Sequence, residues 1–118
     1  MHTPTREETM KAFIITTEGE TREVEFERGA SYDLLSSAVG GYIECVSLSD
    51  SVDMWVNEEG KLVGLPVNEI GTRLWTAAYG PTDVIVGDII LTGGADDEGE
   101  TLGLSDRALE RLRSLTER

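Results

Sequence analysis

The chain has 118 residues, 23 acidic side chains against ten basic ones for a formal net charge of -13, and 39% hydrophobic residues. That size holds one core and that hydrophobic share excludes a disordered chain. The charge sets up a field that repels nucleic acids and anionic membranes and attracts basic protein surfaces.

Taken in order, residues 1–9 lack apolar periodicity and are expected to form a flexible tail, which leaves one domain over residues 10–118. AFIITT and TREVEFE, separated by Glu18-Gly19-Glu20, predict two strands joined by a hairpin. Ser31 offers an N-cap, Leu34, Leu35, Ala38 and Val39 recur at helical spacing, and Gly40-Gly41 supplies a left-handed stop. Tyr42 to Leu48 and Val52 to Asn57 predict the third and fourth strands. Glu58-Glu59-Gly60 then turns the chain into a short extended piece, Lys61 to Val63. After Pro66, Asn68 is placed to cap a second helix running to about Tyr79 and ended by Gly80-Pro81. The β-branched run Asp83 to Thr92 predicts a central strand interrupted at Gly87 by a bulge or turn. Residues 93–104 predict an acidic, glycine-rich loop, and residues 105–117 a C-terminal helix with Leu109, Leu112 and Leu115 in one stripe. The order implies an α+β domain, a mainly antiparallel sheet with two to three helices packed on one face.

The chemical inventory is thin. The only histidine, His2, lies in the expected tail, and the only cysteine, Cys45, sits among strand residues, where a free cysteine is ordinarily a small buried hydrophobe. Nucleophile activation by histidine and histidine-based metal sites are therefore unavailable within the domain. Asp96, Asp97, Glu98 and Glu100 offer oxygens to a hard cation, but their spacing does not match an EF-hand and a solvated loop explains them. Glu44 and Asp88 could act as an acid and base pair only if the third and fifth strands were neighbours. We expect no catalytic residue, no metal and no cofactor. An enzymatic reading would need carboxylates working with a divalent cation.

Binding residues are expected at three places. Asn57, Glu58, Glu59 and Lys61 crowd a hairpin tip. Asn68 lies beside them, most simply as a helix cap. Trp55 alternates away from Val52, Met54 and Val56 and lies between Asp53 and Asn57, an anchor for a partner unless a second layer covers it. Asp96, Asp97, Glu98 and Glu100 form the third. Between Gly29 and Asp106 only Lys61 and Arg73 oppose fourteen carboxylates, so a partner should present a basic surface.

The segments GGYIE at Gly40 to Glu44, NEEGKLVGLPVN at Asn57 to Asn68 and VIVGDIILTG at Val84 to Gly93 carry a resemblance. The chain resembles the phage and mobile-element family catalogued as domain of unknown function 3846. The resemblance implies an accessory gene of a mobile element, many of which counter host defence or alter host machinery, and no established activity. Together with the charge, it leads us to expect a non-enzymatic acidic protein that binds and inhibits or sequesters a host protein, with carboxylates imitating a nucleic-acid backbone. The alternative is a sponge or sensor for a nucleotide or other metabolite, built on cationic sites such as Lys61 and Arg73. No apolar run reaches the roughly 18 residues needed to span a bilayer and MHTPTREET lacks a signal-peptide pattern, so a cytoplasmic location is expected. A homodimer through the C-terminal helix is also open.

Overall fold

The computed structural model describes residues 9–117; the expected tail, apart from Thr9, and His2 lie outside them. Five strands and three helices follow in the order β1 (Thr9–Ile15), β2 (Thr21–Glu27), α1 (Tyr32–Val39), β3 (Ile43–Ser49), β4 (Val52–Asn57), α2 (Glu69–Tyr79), β5 (Ile89–Thr92) and α3 (Asp106–Thr116). The strands form one antiparallel sheet in the order β2-β1-β5-β4-β3. This is an α+β domain, as the pattern of elements implied.

The centre of the sheet is β5, whose four residues, Ile89 to Thr92, are all buried. A strand that is apolar toward both faces needs cover on both sides, and here the helices divide, contrary to the expectation of a single covered face. Phe13, Ile15, Met54, Val56, Ile89 and Leu91 point to one face, under Ile70, Leu74 and Trp75 of α2 and Leu109 and Leu112 of α3. Ala12, Phe26 and Ile90 point to the other, under Leu35 and Val39 of α1. The reason is the topology. β2 and β3 are opposite edges of the sheet, so the connection between them must cross it, and α1 is that crossing.

Several local expectations need correction. Ser31 has helical backbone angles and makes no side-chain cap bond; α1 ends, as expected, at a left-handed Gly40, with φ 76°. Lys61 to Val63 is not extended. Val63 N–H donates to Glu59 C=O and Leu65 N–H to Gly60 C=O, so residues 59–65 coil into a turn. The run from Asp83 is a strand only from Ile89; before it, Val86 bridges Val67 and Gly87 takes φ 80°, where a Cβ would also lie 2.8 Å from the Leu65 side chain. Residues 93–104 form a loop, as expected, folded back on itself: Ala95 bridges Thr101, and Leu104 N–H returns to the Lys11 carbonyl of β1.

A groove along the β3 edge and the residues around it

Asn68 holds this region together. Its carbonyl oxygen accepts from Gly71 N–H at 2.9 Å, the cap expected for α2, and its amide nitrogen donates to the carbonyls of Ile15 and Gly87 at 3.0 Å each. It is fully buried. Asn68 therefore joins α2 to β1 and to the turn before β5, and it offers nothing to a partner, which corrects its place among the surface candidates. The close seat of Gly71 against Ile85 and Ile89 completes the joint.

Asn57 ends β4. Its amide donates to the Val39 carbonyl at 3.2 Å and its oxygen accepts from Glu59 N–H at 2.8 Å, while a Cβ on Gly41 would come within 2.9 Å of its nitrogen. Gly41 and Asn57 are thus one fitted corner. Glu58 and Glu59 are exposed on the turn that follows. Lys61 pairs with Asp83, and this cation holds the Asp83 carboxyl below the usual range, together with the Val84 N–H.

Trp55 is not an exposed anchor. It is half-buried against the α1 side of the sheet, and its indole N–H donates to the buried Thr92 hydroxyl at 2.8 Å. The expected covering layer exists, and α1 provides it. Opposite Trp55 in the register stands Cys45, which is exposed rather than buried. β3 is an edge strand, and α1 does not extend over Cys45. Partial desolvation, and then the Asp53 carboxylate beside it, push the Cys45 thiol up to about 11, so it stays protonated at neutral pH and is a poor nucleophile. Asp53 is in turn raised by its own desolvation, against hydrogen bonds from Ser47 and Cys45.

The third group of candidates is split by its own geometry. Asp96 accepts from the N–H groups of Glu98 and Glu100 at 2.9 and 3.0 Å and from Arg28 Nε at 3.0 Å. Arg28 holds the Asp96 carboxyl low and also reaches Glu98 at 3.6 Å. Asp96 is therefore a turn organiser, Glu100 is half-buried, and Asp97 and Glu98 remain exposed. Among the described residues no group of three or more histidine, cysteine, aspartate or glutamate side chains is arranged to hold a metal ion. Glu44 and Asp88 are not neighbours, because β4 stands between their strands; Asp88 instead accepts from Thr17 N–H at 2.9 Å.

A groove of about 550 Å³ runs along β3, lined by Glu44 to Ser47, by Trp75 and Tyr79 of α2, by Lys61, and by Asp83 to Val86. The tilted pair of Trp75 and Tyr79, with ring centroids 4.5 Å apart, forms its wall, and the Tyr79 hydroxyl donates to the Ser47 carbonyl. This groove gathers Asn57, Glu58 and Lys61 of the hairpin tip but neither Trp55 nor the Asp96 turn. The reading of the sequence missed β3, Trp75 and Tyr79 as a site. No local signal in the chain marks these residues, because the edge position of β3 comes from the strand order.

No helix among the described residues is long and apolar enough to cross a membrane. No curated protein and no solved structure matches the chain. A family model matches residues 10–117, nearly the whole chain, and the protein belongs to the family described as Domain of unknown function (DUF3846).

Proposed function

We propose that this protein is a non-enzymatic acidic binding protein of phage or mobile-element type, which inhibits or sequesters a host protein by engaging its basic surface in the cytoplasm. The observation that carries the reading is the distribution of charge on the folded surface. Glu44, Asp50, Glu58, Glu59, Asp97 and Glu98 are exposed, while Arg28, Lys61 and Arg113 are each drawn into an intramolecular ion pair. The field presented to a partner is therefore predominantly negative, although Arg22, Arg73, Arg107 and Arg111 are also exposed. Such a surface accelerates encounter with a cationic one and repels nucleic acid.

The groove volume lies in the range of small-ligand sites, which favours the second reading, a metabolite sponge or sensor. Its lining argues against a phosphate-bearing ligand, since Lys61 is paired with Asp83 and Glu44, which also lines the groove, has no ion-pair partner among the described residues. Affinity capture from host lysate at about 50 mM and about 500 mM salt separates the readings. Capture of basic proteins that is lost at high salt supports ours; affinity indifferent to salt overturns it.

A further inference from the structure

β3 is the terminal strand of the sheet, and its outer backbone is open. Glu58 N–H donates to the Tyr42 carbonyl at 2.8 Å, which sets the phase of the β3/β4 ladder. With Ile43 opposite Asn57 and Cys45 opposite Trp55, Glu44 and Val46 exchange bonds with β4, and the N–H and C=O groups of Ile43, Cys45 and Ser47 point away from it. Of these outward groups, the only one with a partner among the described residues is the Ser47 carbonyl, which accepts from Tyr79. Edge strands are ordinarily guarded at such positions by charge or proline. Here the residues are isoleucine, cysteine and serine, and the groove lined by Trp75 and Tyr79 runs alongside.

We propose that this edge takes an extended segment of a basic partner protein, added to the sheet beside β3, with alternate side chains of the segment lying in the groove. The inference rests on the acidic-binder reading and specifies its mode: backbone hydrogen bonds give the affinity and the groove reads alternate side chains. The charge at the edge selects the occupant. Glu44 and Glu58 line the groove and Asp50 follows β3, so lysine and arginine side chains on an incoming strand meet carboxylates. A second copy of this chain would set -13 against -13. The Tyr79 hydroxyl marks one end of the free stretch, since the Ser47 carbonyl is already satisfied there.

The test uses a peptide of about ten residues, long enough for a typical strand, alternating lysine and valine, and its fully N-methylated analogue of equal charge. Binding to the full chain is followed by fluorescence anisotropy at low salt, with amide hydrogen exchange on the complex. The unmethylated peptide is expected to bind and to slow exchange at Ile43, Cys45 and Ser47. The methylated one should bind at least about tenfold more weakly, the equivalent of one to two lost hydrogen bonds. Cys45→Pro removes an outward N–H without touching a bond to β4 and should lose binding by a similar factor; the exchange measurement on the natural chain decides the matter if that variant does not fold. Equal affinity for the two peptides overturns strand addition and leaves the acidic-binder reading standing. Failure of both peptides to bind overturns both. Slow exchange at Cys45 without peptide, together with a dimer in sedimentation, assigns the edge to a second copy and overturns the proposed occupant.

Discussion

The two edges of the sheet are built from different residues at the positions where the backbone faces outward. At β2, the bond from Thr16 N–H to the Glu20 carbonyl and the register with β1 turn the backbone groups of Thr21, Glu23, Glu25 and Glu27 to the outside, where the Glu27 carbonyl accepts from Ala30 N–H. At β3 the corresponding residues are Ile43, Cys45 and Ser47. A copy of this chain approaching β2 would bring carboxylates against carboxylates, which opposes pairing of like edges. In addition, Glu23 is held from the sheet side by Arg113 of α3, at 2.6 and 2.7 Å. β3 has no such guard and stands beside a groove with an aromatic wall. One edge is closed to its own kind by charge, and the other is left available. The difference teaches that the acidity of this chain does two separate things: it blocks β2 against self-pairing and it conditions the surroundings of β3.

The comparison depends on the wall of the β3 groove staying where it is, and Asn68 fixes α2 in place. Asn68→Leu should have the largest effect. It orphans Gly71 N–H and the carbonyls of Ile15 and Gly87, and buried polar groups left without partners cost about 1–3 kcal/mol each. We expect a loss of about 3 kcal/mol or more in urea denaturation and loss of peptide binding at β3. A variant of unchanged stability would show that the wall is held by something else.

Removing the guard from β2 is the direct way to break the contrast. Glu23→Thr, Glu25→Thr and Glu27→Thr together should raise self-association by about tenfold or more, from several like-charge cross-strand pairs worth up to about 1 kcal/mol each. Sedimentation at fixed salt measures it. An unchanged sedimentation coefficient would mean that charge does not protect this edge.

A smaller effect concerns acid. Arg113, Lys61 and Arg28 hold the carboxyls of Glu23, Asp83 and Asp96 low. Groups with depressed folded values contribute stability above their ordinary range, about pH 4, and lose it as pH falls through the folded values. Asp53 has the opposite sign, because desolvation raises it and its charge disfavours the fold as pH rises. Three carboxyls outweigh one, so the melting temperature should decline below about pH 4. The exposure of the three pairs keeps the decline shallow. Arg28→Ala should flatten it slightly and loosen the turn at Asp96, seen as faster amide exchange at Glu98 and Glu100.

The smallest effect sharpens the picture of β3 itself. Asp53→Asn removes the second cause of the raised thiol at Cys45 but leaves desolvation, the first. The rate of alkylation against pH should report a thiol lowered from about 11 but still above an ordinary cysteine, near 8.5. A return to the ordinary value would mean that Asp53, and not the sheet face, governs the site.

Much of the architecture was legible in the residues because it depends on local chemistry. Alternation placed β2 and β4, Gly40 ended α1, Asn68 capped α2, and Leu109 with Leu112 formed the inner stripe of α3. That stripe docks on the chain's own sheet, which leaves Leu115, 56% exposed, as its apolar contribution to any assembly. The failures share one cause. Cys45, Trp55 and Asn68 were assigned from neighbours in sequence, whereas their surroundings come from elements far along the chain: α1 over Trp55, the edge position of Cys45, and the carbonyls of Ile15 and Gly87 at Asn68.

Charge, size, strand and helix periods and caps are properties of short segments, and the sequence by itself determined them, because steric preference and hydrophobic spacing act within a few residues. Strand order was decided only in the tertiary structure. Placing β3 at an edge and β5 at the centre depends on pairings between distant segments, whose free energy comes from burying β5 on both faces, with α1 on one side and α2 and α3 on the other. That choice turned a run of ordinary residues, Ile43 to Ser47, into an open edge beside a groove, and no local pattern in the chain marks it.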